Sequence, residues 1–109
     1  MFPDRQVSRK TLQLCRQVAE TLSMVLAEMP EDVLRDLMVE DVRPAPDSSQ
    51  LLVVLRPAPS ALRFDAVRAL EQLQTVAKDL RMEVAAAINR RRAPTLLFQV
   101  LAAGSLREE

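Results

Sequence analysis

Histidine, tyrosine and tryptophan do not occur among the 109 residues, and glycine and cysteine occur once each. Each shortage removes a class of function. Without histidine the commonest general base is missing, and a metal site would have to be assembled from carboxylates with at most one thiolate. The acidic residues Glu31, Asp32, Asp36, Glu40 and Asp41 lack the glycine-centred spacing of a calcium loop, so they read as a solvated face. The one glycine, Gly104, stands near the C-terminus, which leaves no glycine-rich loop to cradle a phosphate. A single cysteine, Cys15, excludes an intramolecular disulfide; beside Leu14 and Val18 it reads as a small buried hydrophobe. With three phenylalanines and no other aromatic residue, the chain is poorly supplied for stacking on unpaired bases. Apolar runs such as LLVVL at 51–55 fall far short of the roughly 18 residues a membrane span needs. The N-terminus has no apolar signal region. The expectation is a cytoplasmic, non-catalytic chain with no cofactor, no metal, no small-molecule substrate and no membrane association.

What is present is charge, balanced in sum but not in position. Basic and acidic residues number 15 each, yet residues 1–55 hold six basic and nine acidic side chains, and residues 56–109 nine and six. The densest cluster is Arg90, Arg91 and Arg92, placed between an amphipathic segment and Pro94. A polyanion would be drawn to that corner.

Periodicity orders the rest. Val7, Leu14, Val18, Leu22, Val25 and Met29 recur at helical spacing, predicting a helix over about 8–29 with Ser8 or Asp4 as cap and Pro30 as terminator. Residues 37–42 have the content of a strand, APDSS at 45–49 is turn chemistry, and Leu51–Leu55 is a strand buried on both faces that stops near Arg56 because Pro57 and Pro59 cannot donate to a ladder. Leu70, Leu73, Ala77, Leu80, Val84, Ala87 and Ile88 then keep three-and-four spacing over roughly 25 residues, about 38 Å if straight. Such a length is large for so small a domain and predicts a break near its middle. Residues 95–101 read as a last strand, and 102–109 as a flexible tail. The order is α-β-β-α-α-β: one α+β domain over 1–109, with a core at about 8–101 and a three-stranded sheet carrying its helices on one face. The long crossover makes strands two and three parallel if they are neighbours.

Two stretches resemble ribosome-binding factor A. VEDVRPAPDSSQLLVVL at 39–55 is similar to that family's first two strands, with an Asp-Val pair, a turn containing Pro-Asp and an apolar strand. Leu80, Arg81, Glu83, Arg91 through Pro94, Leu96 and Phe98 are similar to its C-terminal helix and its sequence of basic residues, proline, leucine and phenylalanine. QVAETLSMVLAE at 17–28 fits the opening helix loosely, and the whole resemblance spans roughly residues 8–100. It implies a KH-like type II domain that binds the small ribosomal subunit and its rRNA, assists late maturation of 16S rRNA, takes part in cold adaptation and has no catalytic chemistry. It also implies an RNA-facing kinked helix pair with an Ala-x-Gly break. The matching place here is Val76-Ala77-Lys78, with lysine at the glycine position.

At 100° per residue, Gln74, Lys78, Arg81, Asn89 and Arg92 share one strip of the long helical segment, a line of donors and cations able to track a phosphate backbone. The RNA-binding candidates are therefore Lys78, Arg81, Arg90, Arg91 and Arg92, with Arg9 and Lys10 as auxiliary contacts. Asp41, Val42, Pro46, Val53, Leu80, Val84, Pro94 and Phe98 read as architectural, and the domain as a monomer. The competing reading is a KH-like protein-interaction or dimerisation module without RNA binding, favoured by the neutral overall charge and the apolar edge over 96–101.

Overall fold

A computed structural model describes residues 8–61, 63–88 and 93–101. The first helix, α1, spans Arg9–Ala27; the Ser8 hydroxyl caps it by accepting the Thr11 N–H at 3.0 Å. Leu14, Cys15, Val18, Leu22 and Leu26 form its buried stripe. Past Pro30 comes a single turn, α2 (Asp32–Arg35), which sequence periodicity could not resolve because four residues are too few to show a period. Arg35 holds this turn against the end of α1: its guanidinium donates to the carbonyls of Met29 and Pro30, both at 2.9 Å, and pairs with Asp32. It thus satisfies two carbonyls of the connection that follows α1, while Leu34 beneath is fully buried.

Strands β1 (Leu37–Pro44) and β2 (Gln50–Pro57) form an antiparallel hairpin. Its register pairs Val39 with Leu55 and Asp41 with Val54, a bulge that leaves Glu40 unpaired. The bulge has a clear cause. Leu37 and Val39 before it, and Val42 and Pro44 after it, all turn to the covered side; without the extra residue Asp41 would take an inward position. At the turn, the Asp47 carboxylate accepts from the Ser49 N–H at 2.9 Å and hydroxyl at 2.6 Å, and Ala45 N–H donates to Gln50 O at 2.7 Å.

The crossover is α3, Ala66–Ile88, opened by Asp65, whose carboxylate accepts the Arg68 N–H at 3.1 Å. It leads into β3 (Thr95–Val100), which lies parallel to β2 with Gln50 opposite Thr95 and Leu55 opposite Val100. The sheet order is β1-β2-β3. Leu51, Val53 and Leu55 join the helical stripes in one core; Val54, 4 % exposed, faces the other side and is not part of it. Both long helices therefore cover one face, and the fold is the expected α+β sandwich.

The expected break in the long helical segment is absent. α3 runs unbroken through Val76, Ala77 and Lys78 for 23 residues. Two reasons account for this: every residue from Gln74 to Leu80 tolerates helix and none is glycine or proline, and the length of about 34 Å fits within the 38 Å long axis of the molecule. The element order is consequently α-α-β-β-α-β, with the extra short helix before the hairpin rather than after it.

Candidate nucleic-acid interface

α3 buries Ala69, Leu73, Leu80, Val84 and Ile88, and this stripe fixes which residues look outward. Gln74, Lys78 and Arg81 are all exposed along one edge of it, as 100° spacing requires. Asp79 and Glu83 are exposed nearby and temper the positive potential. The Arg81 guanidinium reaches twelve residues forward and donates to the Ala93 carbonyl at 3.2 Å. This uses one of five donors and ties the last third of α3 to the residue before Pro94, itself almost wholly buried. Arg81 is thus both a surface cation and a brace for the start of β3.

Arg90, Arg91 and Arg92, with Asn89, lie outside the described residues. Their flanks are fixed: α3 continues to Ile88, and Thr95 enters β3 by donating its N–H to Ser49 O at 2.9 Å. Arg9 and Lys10 are exposed in the first turn of α1, where Lys10 lines a polar cleft of about 520 Å³ with Thr11, Gln13, Gln17 and Ser48. Arg16 was not singled out from the sequence. It stands seven residues after Arg9, hence within about 20° of it around α1, and is exposed; the i, i+7 spacing was the available signal.

The cations divide by whether a carboxylate holds them. Arg43 pairs with Asp41 at 3.1 Å and Arg56 with Glu40 at 3.0 Å, both on the sheet, and Arg35 pairs with Asp32. Among the described residues Arg9, Lys10, Arg16, Lys78 and Arg81 take part in no ion pair. Such cations can meet a phosphate without first giving up a carboxylate. Base stacking has little to work with, since Phe64 and Phe98 are partly buried against the core and Phe2 lies outside the described residues. Cys15 is 6 % exposed, and its burial, with the Asp41 charge adding to it, pushes the thiol above its ordinary pKa of 9.0. The protonated thiol is no nucleophile at neutral pH. No helix among the described residues is long and apolar enough to cross a membrane.

No protein-family model matches the sequence, and no curated protein does. Solved structures do. The crystal structure of ribosome-binding factor A from Thermus thermophilus superposes with a TM-score of 0.72 and 27 % identity over 83 % of this chain and 93 % of that one. A homology model of the Thermus thermophilus ribosome binding factor A, fitted into a cryo-EM map of its complex with 30S, gives 0.60 and 29 % identity over 84 % and 91 %. A shared arrangement of helices and strands that covers nine-tenths of both relatives, joined to identity above a quarter, places this chain as a ribosome-binding factor A-like family member.

Proposed function

We propose that this protein binds the small (30S) ribosomal subunit, assists late maturation of its 16S rRNA, and does so in the cytoplasm by binding alone. The observation that carries the reading is the likeness to ribosome-binding factor A over nearly its whole length, including the factor fitted into a 30S map. Lys78 and Arg81 on α3, together with Arg90, Arg91 and Arg92 just beyond it, make the principal phosphate contacts, and Arg9 and Lys10 make auxiliary ones. With Phe64 and Phe98 engaged in packing, recognition rests on phosphate position and RNA shape rather than on base stacking. The protein acts by differential affinity: it holds an immature arrangement of the RNA and leaves when the mature arrangement competes better.

Gradient co-sedimentation with immature and mature small subunits tests this. Comigration at low salt that fades as salt is raised is the expected result; protein left at the top of the gradient with both particles at low salt ends the proposal. A second reading, a KH-like interaction module without RNA binding, draws on the unbroken α3, which lacks the kink that the family resemblance implies for the RNA-facing element. Changing Arg90, Arg91 and Arg92 together to Glu separates the two: subunit association is lost under the first and kept under the second.

A further inference from the structure

The first turns of α1, the β1–β2 turn and the start of β3 meet at one end of the molecule. The Thr95 N–H donates to Ser49 O at 2.9 Å, and Arg81 donates to Ala93 O two residues earlier, so the Arg81 end of α3 and the β1–β2 turn lie side by side. Between that turn and α1 is the polar cleft of about 520 Å³, within the roughly 300–1,000 Å³ of small-ligand sites. Lys10, Gln13, Leu14 and Gln17 stand at i, i+3, i+4 and i+7 and so line it from one face of α1, with Thr11 beside them; Ser48 lines it from the turn. Leu14, 6 % exposed, is the apolar member of this lining. Among the described residues the amides of Gln13 and Gln17 make no hydrogen bond and Lys10 makes no ion pair. No acidic residue stands in the first turn of α1. Asp47, next to Ser48, has its carboxylate occupied by the Ser49 N–H and hydroxyl. Glu20, exposed a turn beyond Gln17, keeps a phosphate toward the Lys10 end.

We propose that this cleft receives one unpaired nucleotide of the RNA: Lys10 takes its phosphate, the Gln13 and Gln17 amides its base edge, and the Thr11 and Ser48 hydroxyls its sugar. The inference rests on the proposed RNA binding and adds to it a contact that reads bases, which cations on phosphates cannot do. The lining chooses the occupant. An amide offers a donor and an acceptor side by side, the pattern that a base edge presents in reverse, and a single ammonium suits a single phosphate as a point charge. A divalent metal ion would find no carboxylate in the cleft. A paired stretch of RNA keeps its base edges inside a groove that side chains cannot read. Position agrees with chemistry. RNA held along Lys78 and Arg81 has only to cross the β1–β2 turn to enter the cleft, and the exposed Arg9 and Arg16, four before and three after Gln13, flank the entry.

Fluorescence anisotropy on the full chain, with labelled RNA hexamers of adenylate, cytidylate and uridylate, tests this. The affinities should spread over about fivefold or more, and each hexamer should shift the side-chain amide resonances of Gln13 and Gln17. Gln13→Ala with Gln17→Ala, at exposed helical positions where alanine is well tolerated, should erase the spread and leave the salt slope unchanged. Lys10→Gln should keep the spread and lower the slope by about 0.7, the share of one phosphate on a single strand. Equal affinities for the hexamers overturn the proposal, as does a spread that survives the double substitution, or a duplex that shifts the two amides as the single strands do. A nucleoside monophosphate that binds as tightly as its hexamer makes the cleft a free-nucleotide site and also overturns it. Co-sedimentation separates this inference from the proposed function. Comigration with small subunits, but no shift of the two amides with any hexamer, ends the inference alone; hexamers held in the cleft by a chain that does not comigrate end the ribosomal reading alone.

Discussion

The sheet layer and the helix layer use their charges in opposite ways. On the sheet, Arg43 and Arg56 stand beside Asp41 and Glu40, so the outer face presents ion pairs around Val54 and Leu97 and has little net field. On the long helices, Arg9, Lys10, Arg16 and Lys78 make no ion pair among the described residues, and Arg81 reaches only a neutral carbonyl. In sum the two layers are alike, since α3 balances Arg68, Lys78 and Arg81 against Glu71, Asp79 and Glu83; they differ in that, among the described residues, the helix cations are not already held by a carboxylate while Arg43 and Arg56 are. Under the proposed function, the difference leaves the helix cations available to a phosphate.

The comparison breaks most completely if the layers are pulled apart. Leu80 is fully buried in the core that both layers share. Leu80→Ala should cost about 2–5 kcal/mol, read as a fall in the denaturant midpoint; a loss below about 1 kcal/mol would mean that α3 is not anchored where it is described. Next in size is an effect on binding rather than folding. Lys78→Glu should lower the salt slope of subunit association by about 0.7–0.9 for each phosphate that Lys78 neutralises and leave the denaturant midpoint nearly unmoved. An unchanged slope would remove Lys78 from the interface and make its exposure a matter of solubility alone.

Lys78 also marks the limit of what the sequence could tell. Ser8 as cap, the three-and-four stripe of α1, the hairpin around Asp47, the parallel placement of β3 and the burial of Leu51, Val53 and Leu55 were all readable, because each follows from local periodicity or from turn chemistry; on the other face Val54 is buried but Leu52 only partly so. The unbroken α3 was not, since a size argument about the domain set too short a limit on one helix; the long axis had room for it. Nor was the bulge at Glu40, which depends on what β2 places opposite Val39 and Asp41. For the site, the spacing of Gln74, Lys78 and Arg81 sufficed to put them on one exposed edge, but the bond from Arg81 to Ala93 needed the return of the chain in β3. Lys78→Gly measures the point directly. In a continuous, exposed helical turn glycine should cost about 1 kcal/mol; if the change proves neutral, the backbone there is already bent.

On the sheet side the expected numbers are smaller. The Arg56–Glu40 contact at 3.0 Å joins side chains that are each more than a third exposed. A double-mutant cycle with Arg56→Ala and Glu40→Ala should give a coupling of about 0.2–1 kcal/mol, shrinking as salt is added. The pair's role is to neutralise the sheet face rather than to hold the fold. A coupling above about 2 kcal/mol would show the pair to be shielded from solvent and would narrow the contrast between the layers.

The smallest effect belongs to the turn that joins β1 to β2. The Ser49 hydroxyl, and after it the Ser49 N–H, donates to the Asp47 carboxylate and holds its pKa below the ordinary 3.8. A carboxyl with a depressed folded pKa stabilises the fold above its unfolded value and loses that contribution as pH falls through the folded one. The turn should therefore keep its geometry through neutral and mildly acidic pH and loosen only below about 3.8. Because Asp47 is fully solvent-exposed, the loss should be local. The Ser49 amide resonance should titrate at low pH while residues of α3 stay fixed, and Asp47→Asn should abolish the titration. A Ser49 amide that titrates at or above 3.8 would show that the hydroxyl and amide bonds do not favour the charged form. The register that places Asp41 outside and Val42 inside would then rest on the bulge alone, without help from the turn.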